Sequence, residues 1–205
     1  TVLMQISSSI IAWETFADSY PDGQLLERTN NEFGQPLRPY DSPPYAGYDD
    51  VDNPPFLFRG VVDDRLVATS RVLTIDGETP VAYPFAFLKE TPVLNDSVGG
   101  EDIVALFDYE TFSAFNNLSN TRQKSGSVAV FSRTVDGRFL TFEFTDSIIT
   151  DTETGSVWNL AGLAVSGELA GTRLTPIVHA NHFWFAWAVF KPNTEIRDSL
   201  DDLAS

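Results

Sequence analysis

A β-hairpin pattern lies between Ser127 and Phe144, in the sequence SVAVFSRTVDGRFLTFEF. Two runs rich in Val and Phe flank Asp136-Gly137, a dipeptide typical of tight two-residue turns. In the second run, Arg138–Phe144, bulky apolar side chains recur at every other position, at Leu140, Phe142 and Phe144. This alternation predicts a strand with one buried face, and the pair of runs predicts an antiparallel fold.

The chain around this hairpin continues the β pattern from residue 67 onward. Val67–Ile75 and Val81–Leu88 flank Asp76-Gly77, which predicts a second hairpin. Shorter apolar runs predict further strands at Asp102–Phe107, Val157–Leu160 and Leu163–Val165. We therefore expect a mainly β (α+β), antiparallel, hairpin-rich single domain.

Two short helices are predicted, over residues 12–19 and 183–190. Trp13 and Phe16 share a helix face in the first, and we expect Ser8 or Ser9 to cap its start. Asn181 is the expected cap of the second. Proline ends both patterns, at Pro21 and Pro192.

Residues 29–66 follow neither periodicity and are rich in proline and aromatic residues. Proline fixes φ and removes a hydrogen-bond donor, so a helix or a central strand is disfavoured here. A disordered linker would not carry so many aromatic rings. We expect a Pro-rich ordered coil that wraps on the core.

The two ends of the chain resemble each other at an offset of 171 residues, with Trp13 matching Trp184 and Pro21 matching Pro192. A repeat is the interpretation that we favour. It predicts residues 1–28 as the tail of a preceding partial repeat whose body was lost by processing or truncation. The remaining predicted segments are the wrapping coil at 29–66, a β-rich domain at 67–198 and an acidic tail at 199–205.

Charge excludes several classes of partner. The 205 residues include 29 Asp and Glu but 13 Lys and Arg, for a net charge of −16. Such a surface repels nucleic acid and anionic lipid, so neither is an expected partner. Asp is abundant and Lys is scarce, which fits either a saline habitat or an exported acidic protein, and the exported protein is favoured.

Composition also limits the chemistry and the membrane topology. Cysteine is absent, which excludes disulfides, thiolate metal sites and cysteine nucleophiles. The longest apolar run, 183–190, is far shorter than the roughly 20 residues that span a bilayer. The first residues lack a basic start and a full apolar stretch, so we expect no signal peptide in this segment. We predict no transmembrane segment.

Local motifs for catalysis and metal binding are weak. No Gly-x-Ser-x-Gly elbow occurs, so a serine hydrolase is not predicted. His179 and His182 would share one face of a helix and could bind one ion. The favoured alternative is that His179 forms a hydrogen bond within a loop while His182 begins the aromatic helix. Carboxylates at Asp50 and Asp52 offer calcium ligands, but a solvated acidic turn is favoured there. We predict no metal and no cofactor.

Aromatic residues are the stronger candidates for binding. The coil carries Tyr45, Tyr48 and Phe56, and stiff aromatic loops lose little entropy when they dock on a partner. The alternative is that these rings cover the sheet. The cluster at 183–190 fits either a platform for a sugar or quinone or a buried core segment.

Several phrases together resemble the bacterial and archaeal family named domain of unknown function 3179. They include Tyr20-Pro-Asp-Gly23, Pro44-Tyr-Ala-Gly-Tyr-Asp-Asp50, Val98-Gly-Gly100, Asp136-Gly-Arg-Phe-Leu-Thr-Phe142, Gly167-Glu-Leu-Ala-Gly-Thr-Arg-Leu174 and Phe183-Trp-Phe-Ala-Trp187. The resemblance covers nearly the whole chain. It implies no reaction, because none is assigned to the family.

The resemblance also implies differences from many family members. Such members carry a His before the Asn-Asp motif and a Cys-x-x-Cys after the Gly-Gly pair, at the positions that Thr91, Asp108 and Thr111 occupy here. His179 stands where those members tend to have a His. They commonly look exported and lipoprotein-like, which implies an extracytoplasmic place for this chain.

Two classes of function follow from these observations. The first is a non-catalytic, extracytoplasmic binding or accessory subunit, with a protein partner and attachment to a larger membrane-associated complex. Its candidate contact residues are Tyr45, Tyr48 and Phe56. The second is a metal-binding or enzymatic protein that uses His179 and His182. The lack of Cys and the scarcity of His favour the first.

Overall fold

The computed structural model describes residues 6–38, 45, 47–48, 50–113 and 123–203. Three α-helices occur in this part of the chain: α1 (Trp13–Ser19), α2 (Phe85–Glu90) and α3 (Trp184–Ala188), with a 3-10 turn at Leu200–Asp202. The strands are β1 (Arg71–Ile75), β2 (Val81–Pro84), β3 (Val93–Val98), β4 (Glu101–Asp108), β5 (Ser127–Ser132), β6 (Thr134–Val135), β7 (Arg138–Phe139), β8 (Phe142–Thr145), β9 (Ile148–Asp151), β10 (Val157–Trp158), β11 (Ala164–Ser166), β12 (Ala180–Phe183) and β13 (Glu195–Ile196).

The strands form small, mostly antiparallel sheets, which confirms the predicted fold class. The sheet orders are β12-β1-β2-β13, β3-β4-β5, β11-β10-β9-β8 and β6-β7. One pairing, β13 with β2, is parallel. The hairpin predicted around Asp76-Gly77 is present as β1 and β2.

The sheet β3-β4-β5 is buried on both faces. One face, with Ile103 and Phe107, packs against the β1-β2 sheet. The other face, with Val104 and Leu106, packs against the sheet that contains Phe142 and Trp158. Successive side chains of β4 point to opposite faces, so this one strand contributes to two core clusters. A third cluster joins α3 to the outer face of β1 and β2 through Val72, Ala82 and Trp184.

A buried polar network ties the segment after β13 to this core. The Arg197 guanidinium donates to Asp96 Oδ2 at 2.6 Å, and the Tyr83 hydroxyl donates to the same oxygen at 2.7 Å. All three residues are buried. Burial and the neighbouring Asp96 raise the pKa of Tyr83. The phenol therefore stays protonated and keeps its donor role.

The strand predicted at Val81–Leu88 is wrong after Pro84. Proline ends the ladder because it has no N–H to donate, and α2 begins at Phe85. The helical turn places Phe85 and Leu88, three residues apart, in the same core cluster. Two helices were predicted, and α2 was not one of them.

The hairpin predicted between Ser127–Phe131 and Arg138–Phe144 is also wrong in its pairing. β5 pairs with β4, and Asp136-Gly137 joins only the short strands β6 and β7. Both turn residues have positive φ, 49° and 78°, as a tight primed turn requires. The second run breaks at Leu140, whose N–H donates to Arg133 O. β8 then pairs with β9, a strand that the sequence analysis missed.

The predicted helix caps are wrong. Ala12 precedes α1 and Phe183 precedes α3, neither with a side-chain cap, while Asn181 lies in β12. Within the described part of residues 29–66 there is neither helix nor strand, as expected for an ordered coil. α1 and α3 begin at Trp13 and Trp184, matching positions of the 171-residue offset. The assignment of residues 1–28 to a preceding repeat stays a prediction.

Candidate functional site

His179 lies just before β12, and its imidazole ring is buried. Its Nδ1 is 2.7 Å from the carbonyl oxygen of Ile177. A carbonyl oxygen only accepts, so Nδ1 carries the proton and Nε2 of the neutral ring is an acceptor. This is the loop hydrogen bond that the favoured alternative expected.

The Nε2 atom of His179 faces a serine from the other end of the chain. Ser9 Oγ lies 3.1 Å from Nε2, and Ser7 Oγ lies 3.4 Å from Nδ1. Because Nε2 is the acceptor, the Ser9 hydroxyl is the donor. Ser7 and Ser9 are two residues apart in a segment without regular secondary structure, and both hydroxyls reach the same ring.

Burial lowers the pKa of His179, and hydrogen bonds to the carbonyls of Ile177 and Val128 oppose that shift only in part. The ring is therefore neutral at pH 7, with an acceptor nitrogen. A cavity of about 280 Å³ adjoins it. Its walls are mostly apolar and include Ile11, Phe16 and Leu160.

His182 lies in a different environment. It belongs to β12, opposite Val72 of β1, and its ring stacks on Trp187 with centroids 5.1 Å apart. Burial lowers the pKa of His182 as well. The shared helix face expected for His179 and His182 is wrong, because residues 180–183 are a strand and positions three apart in extended chain point to opposite sides.

The acidic candidates form a turn. Asp50 Oδ1 accepts the Asp52 N–H at 3.0 Å, and the Thr69 hydroxyl is 3.2 Å from Asn53 O. Both carboxylates are exposed. The two hydrogen bonds stabilise the turn at residues 50–53. Among the residues that the structure describes, no group of three His, Asp or Glu side chains could hold a metal ion.

Aromatic side chains from two distant segments form a concave surface, which we call the aromatic cup. It encloses about 450 Å³ and is lined by Tyr45, Tyr48, Leu57, Phe58, Phe183 and Phe185. The coil supplies the first four and the β12–α3 junction supplies the last two. Alternation at that junction points Phe183 and Phe185 to the cup, while Trp184 is buried in the core.

Tyr48 is the centre of the cup. Its ring centroid lies 4.9 Å from that of Phe56 and 5.7 Å from that of Phe183, and its hydroxyl accepts the Leu57 N–H at 3.3 Å. The side chain is only 7% exposed, so it has a structural role. Tyr45 and Phe56 are exposed at the edge. The predicted partner residues are thus brought together, with different degrees of burial.

Several residues of these two sites were missed by the sequence analysis. Leu57 has no distinguishing pattern in the coil. Ser9 was considered only as a cap of the first helix and Ser7 was not considered, because nothing local relates either residue to a histidine about 170 positions away. Phe183 and Phe185 were candidates for a ligand platform, together with residues that turn out to be core.

Asp108 and Thr111, the positions at which the family resemblance implies a Cys pair, contact each other here. The Thr111 hydroxyl donates to Asp108 Oδ2 at 3.1 Å, and Thr111 is buried. Thr91 follows α2 directly and its N–H donates to Phe87 O. Asp108 and Thr111 therefore form a local hydrogen-bonded turn, while Thr91 ends a helix.

Across the described residues, no helix has the length and apolar character needed to cross a membrane.

Comparison with known proteins gives one match. No curated protein and no solved structure matches the chain. A family model matches residues 1–194 of the 205. The chain therefore belongs to the family described as "Protein of unknown function (DUF3179)".

Proposed function

We propose that this protein is an extracytoplasmic binding or accessory subunit that docks a partner protein through the aromatic cup. The observation that carries the proposal is the cup itself, an exposed apolar concavity on a chain of net charge −16. Contiguous apolar surface on an acidic, well-solvated protein is typical of an interaction site. The cup needs no chemistry to perform this role.

The cup is preorganised for binding. Tyr48 is held by edge contacts with Tyr45 and Phe56 and by the Leu57 N–H. Rings that are already fixed lose little side-chain entropy on docking, so more of the contact energy contributes to affinity. Aromatic anchors in pockets of this kind commonly dominate interface energetics.

A protein partner is favoured over a small molecule because apolar exposure continues beyond the cup. Phe56, at the edge of the cup, is 61% exposed, and Val51 and Val61 along the same coil are also exposed. A small ligand would fill the cup and leave these side chains in water. The acidic surface favours a partner segment with an apolar anchor and flanking basic residues.

A photo-crosslinking experiment in the native source tests the partner. The photoreactive residue p-benzoylphenylalanine is placed at Leu57, and at Leu26 as a control, because Leu26 is fully exposed outside the cup. We expect one adduct of discrete mass from position 57 and none from position 26. Equal labelling from both positions, or no adduct from position 57, would contradict the proposal.

A titration with the neutral apolar dye N-phenyl-1-naphthylamine tests the cup in the purified protein. We expect saturable binding that Leu57→Asp abolishes and Leu26→Asp leaves unchanged. Tyr45→Ala should weaken binding without loss of fold, since Tyr45 lies at the edge. Binding that is indifferent to Leu57→Asp would show that the cup is not the apolar site.

The extracytoplasmic place is part of the same proposal. It is supported by the acidic composition and by the exported look of relatives that the sequence resembles. Fractionation of the native source should place the protein outside the cytoplasm, together with the crosslinked partner. Recovery in the cytoplasmic fraction would contradict this part of the proposal.

A further inference from the structure

We propose that Ser9 is a nucleophile activated by His179, and that the adjoining cavity takes the acyl group of a short, uncharged ester. This adds an activity at a site separate from the aromatic cup. It departs from the expectation of a protein without catalysis. It replaces the predicted pairing of His179 with His182.

The hydrogen bonds are those that general-base activation of a serine needs. Ser9 Oγ lies 3.1 Å from Nε2, and Nδ1 lies 2.7 Å from the Ile177 carbonyl. The carbonyl fixes the tautomer and the ring orientation, which is the task of the third group in a hydrolytic triad. Only this tautomer leaves Nε2 free to accept the serine proton.

The ring and the hydroxyl differ in burial as the reaction requires. His179 is buried, which keeps its imidazole out of water. Ser9 is exposed, so a substrate can reach its oxygen. Ser7 presents a second hydroxyl to the same cavity, as a hydrogen-bond donor for the charge that develops on a carbonyl oxygen.

The cavity defines the class of substrate. Its volume of about 280 Å³ is at the low end for small-molecule sites, which favours a short acyl chain. Ile11, Phe16 and Leu160 in its walls favour an uncharged, apolar group. The net charge of −16 disfavours anionic substrates.

The reaction balances with water as the second substrate. A bond forms between Ser9 Oγ and the carbonyl carbon, and the hydroxyl proton moves to Nε2. The carbon–oxygen bond to the alcohol breaks, and the alcohol takes the proton from Nε2. Water then attacks the acyl-serine, gives a proton to Nε2, and the acid leaves as Oγ recovers that proton.

Reaction with a fluorophosphonate probe tests the nucleophile directly. We expect one covalent adduct at Ser9 by peptide mass spectrometry, because Oγ displaces fluoride from phosphorus. Ser9→Ala should abolish it. Ser8→Ala is the matched control, since Ser8 is an exposed serine between the two that contact the His179 ring. Absence of an adduct in the wild-type protein would overturn the inference.

Hydrolysis of p-nitrophenyl acetate and p-nitrophenyl octanoate tests the substrate class. We expect turnover of the acetate ester, and a loss of roughly 100-fold or more in Ser9→Ala, the scale of general-base catalysis. Ser8→Ala should retain the rate, and the octanoate should react more slowly. Equal rates for Ser9→Ala and the wild type would overturn the proposal, as would a preference for octanoate. Loss of dye binding at the cup in Leu57→Asp should leave these rates unchanged, which separates the two proposals.

Discussion

At the scale of single residues, burial without a charged partner lowers the pKa of both histidines. His179 lies between β5 and the segment before β12, and its hydrogen-bond partners are backbone carbonyls and serine hydroxyls. His182 is enclosed by the stacked ring of Trp187. Among the described residues, no carboxylate contributes to the pKa of either histidine. Both rings are therefore held neutral, and each gains a proton more readily in the unfolded chain.

Stability should consequently fall as the pH drops below about 6.5, the ordinary pKa of histidine. Burial lowers the pKa of both rings in the folded state. Between the folded pKa and 6.5 the unfolded chain binds more protons than the folded chain. The free energy of unfolding therefore decreases as the pH is lowered through this window, and it is fully regained above the window. Each histidine contributes a slope of at most about 1.4 kcal/mol per pH unit.

Urea unfolding at pH 7.5, 6.5 and 5.5 measures this slope. His182→Gln and His179→Gln should each flatten it relative to the wild type, whatever the effect of the substitution at pH 7.5. The difference between variant and wild type isolates the histidine from the carboxylates, which titrate at lower pH. An unchanged slope in both variants would show that the rings are not the source.

At the scale of elements, α1 and α3 show how one pattern has two outcomes. Both helices begin with Trp and continue with an aromatic residue three positions later. Trp184 is fully buried against β1 and β2, and its indole N–H donates to Asp63 O. Trp13 is 60% exposed. The local sequence places both rings on a helix face, but only one helix is covered by a sheet.

The two tryptophans should therefore differ in their contribution to stability. Trp184→Ala removes a buried ring and should lower the free energy of unfolding by about 3–5 kcal/mol. Trp13→Ala removes an exposed ring and should cost less than about 1 kcal/mol. Chemical denaturation of the two variants under the same conditions measures both values. Equal losses would contradict the burial difference.

At the scale of the whole molecule, like-charge repulsion opposes the compact state. The net charge is −16, and the ion pairs among the described residues, such as Arg138 with Glu168, lie mostly at the surface. Exposed pairs contribute little, so they do not offset the repulsion. Dissolved salt screens exposed charges with a Debye length of about 10 Å at 0.1 M and about 3 Å at 1 M.

The melting temperature should accordingly rise as NaCl increases from 0.05 to 1 M. Repulsion between like charges is stronger in the folded state than in the expanded unfolded state, so screening by salt stabilises the folded state. Changing the exposed Glu14, Asp22, Glu27 and Glu32 to amides should raise the melting temperature in low salt and reduce its dependence on NaCl. Calorimetry of both proteins across the salt series measures the effect. Parallel salt curves for the two proteins would mean that salt acts through something other than charge screening.

Local pattern and composition were sufficient for the fold class, for most of the strands and for the Asp136-Gly137 turn, because alternation and turn chemistry are properties of neighbouring residues. Family membership was likewise recognisable in the order of short phrases. The pairing of the strands was not recognisable from the sequence. The pairing of β5 with β4 depended on contacts between segments that are distant in sequence. The helix at residues 85–88 buries Phe85 and Leu88 in one core cluster. The contacts of Ser9 with His179 and of Tyr48 with Phe183 join residues more than 130 positions apart. Only tertiary packing decides them, since no local periodicity records which distant segments share a core.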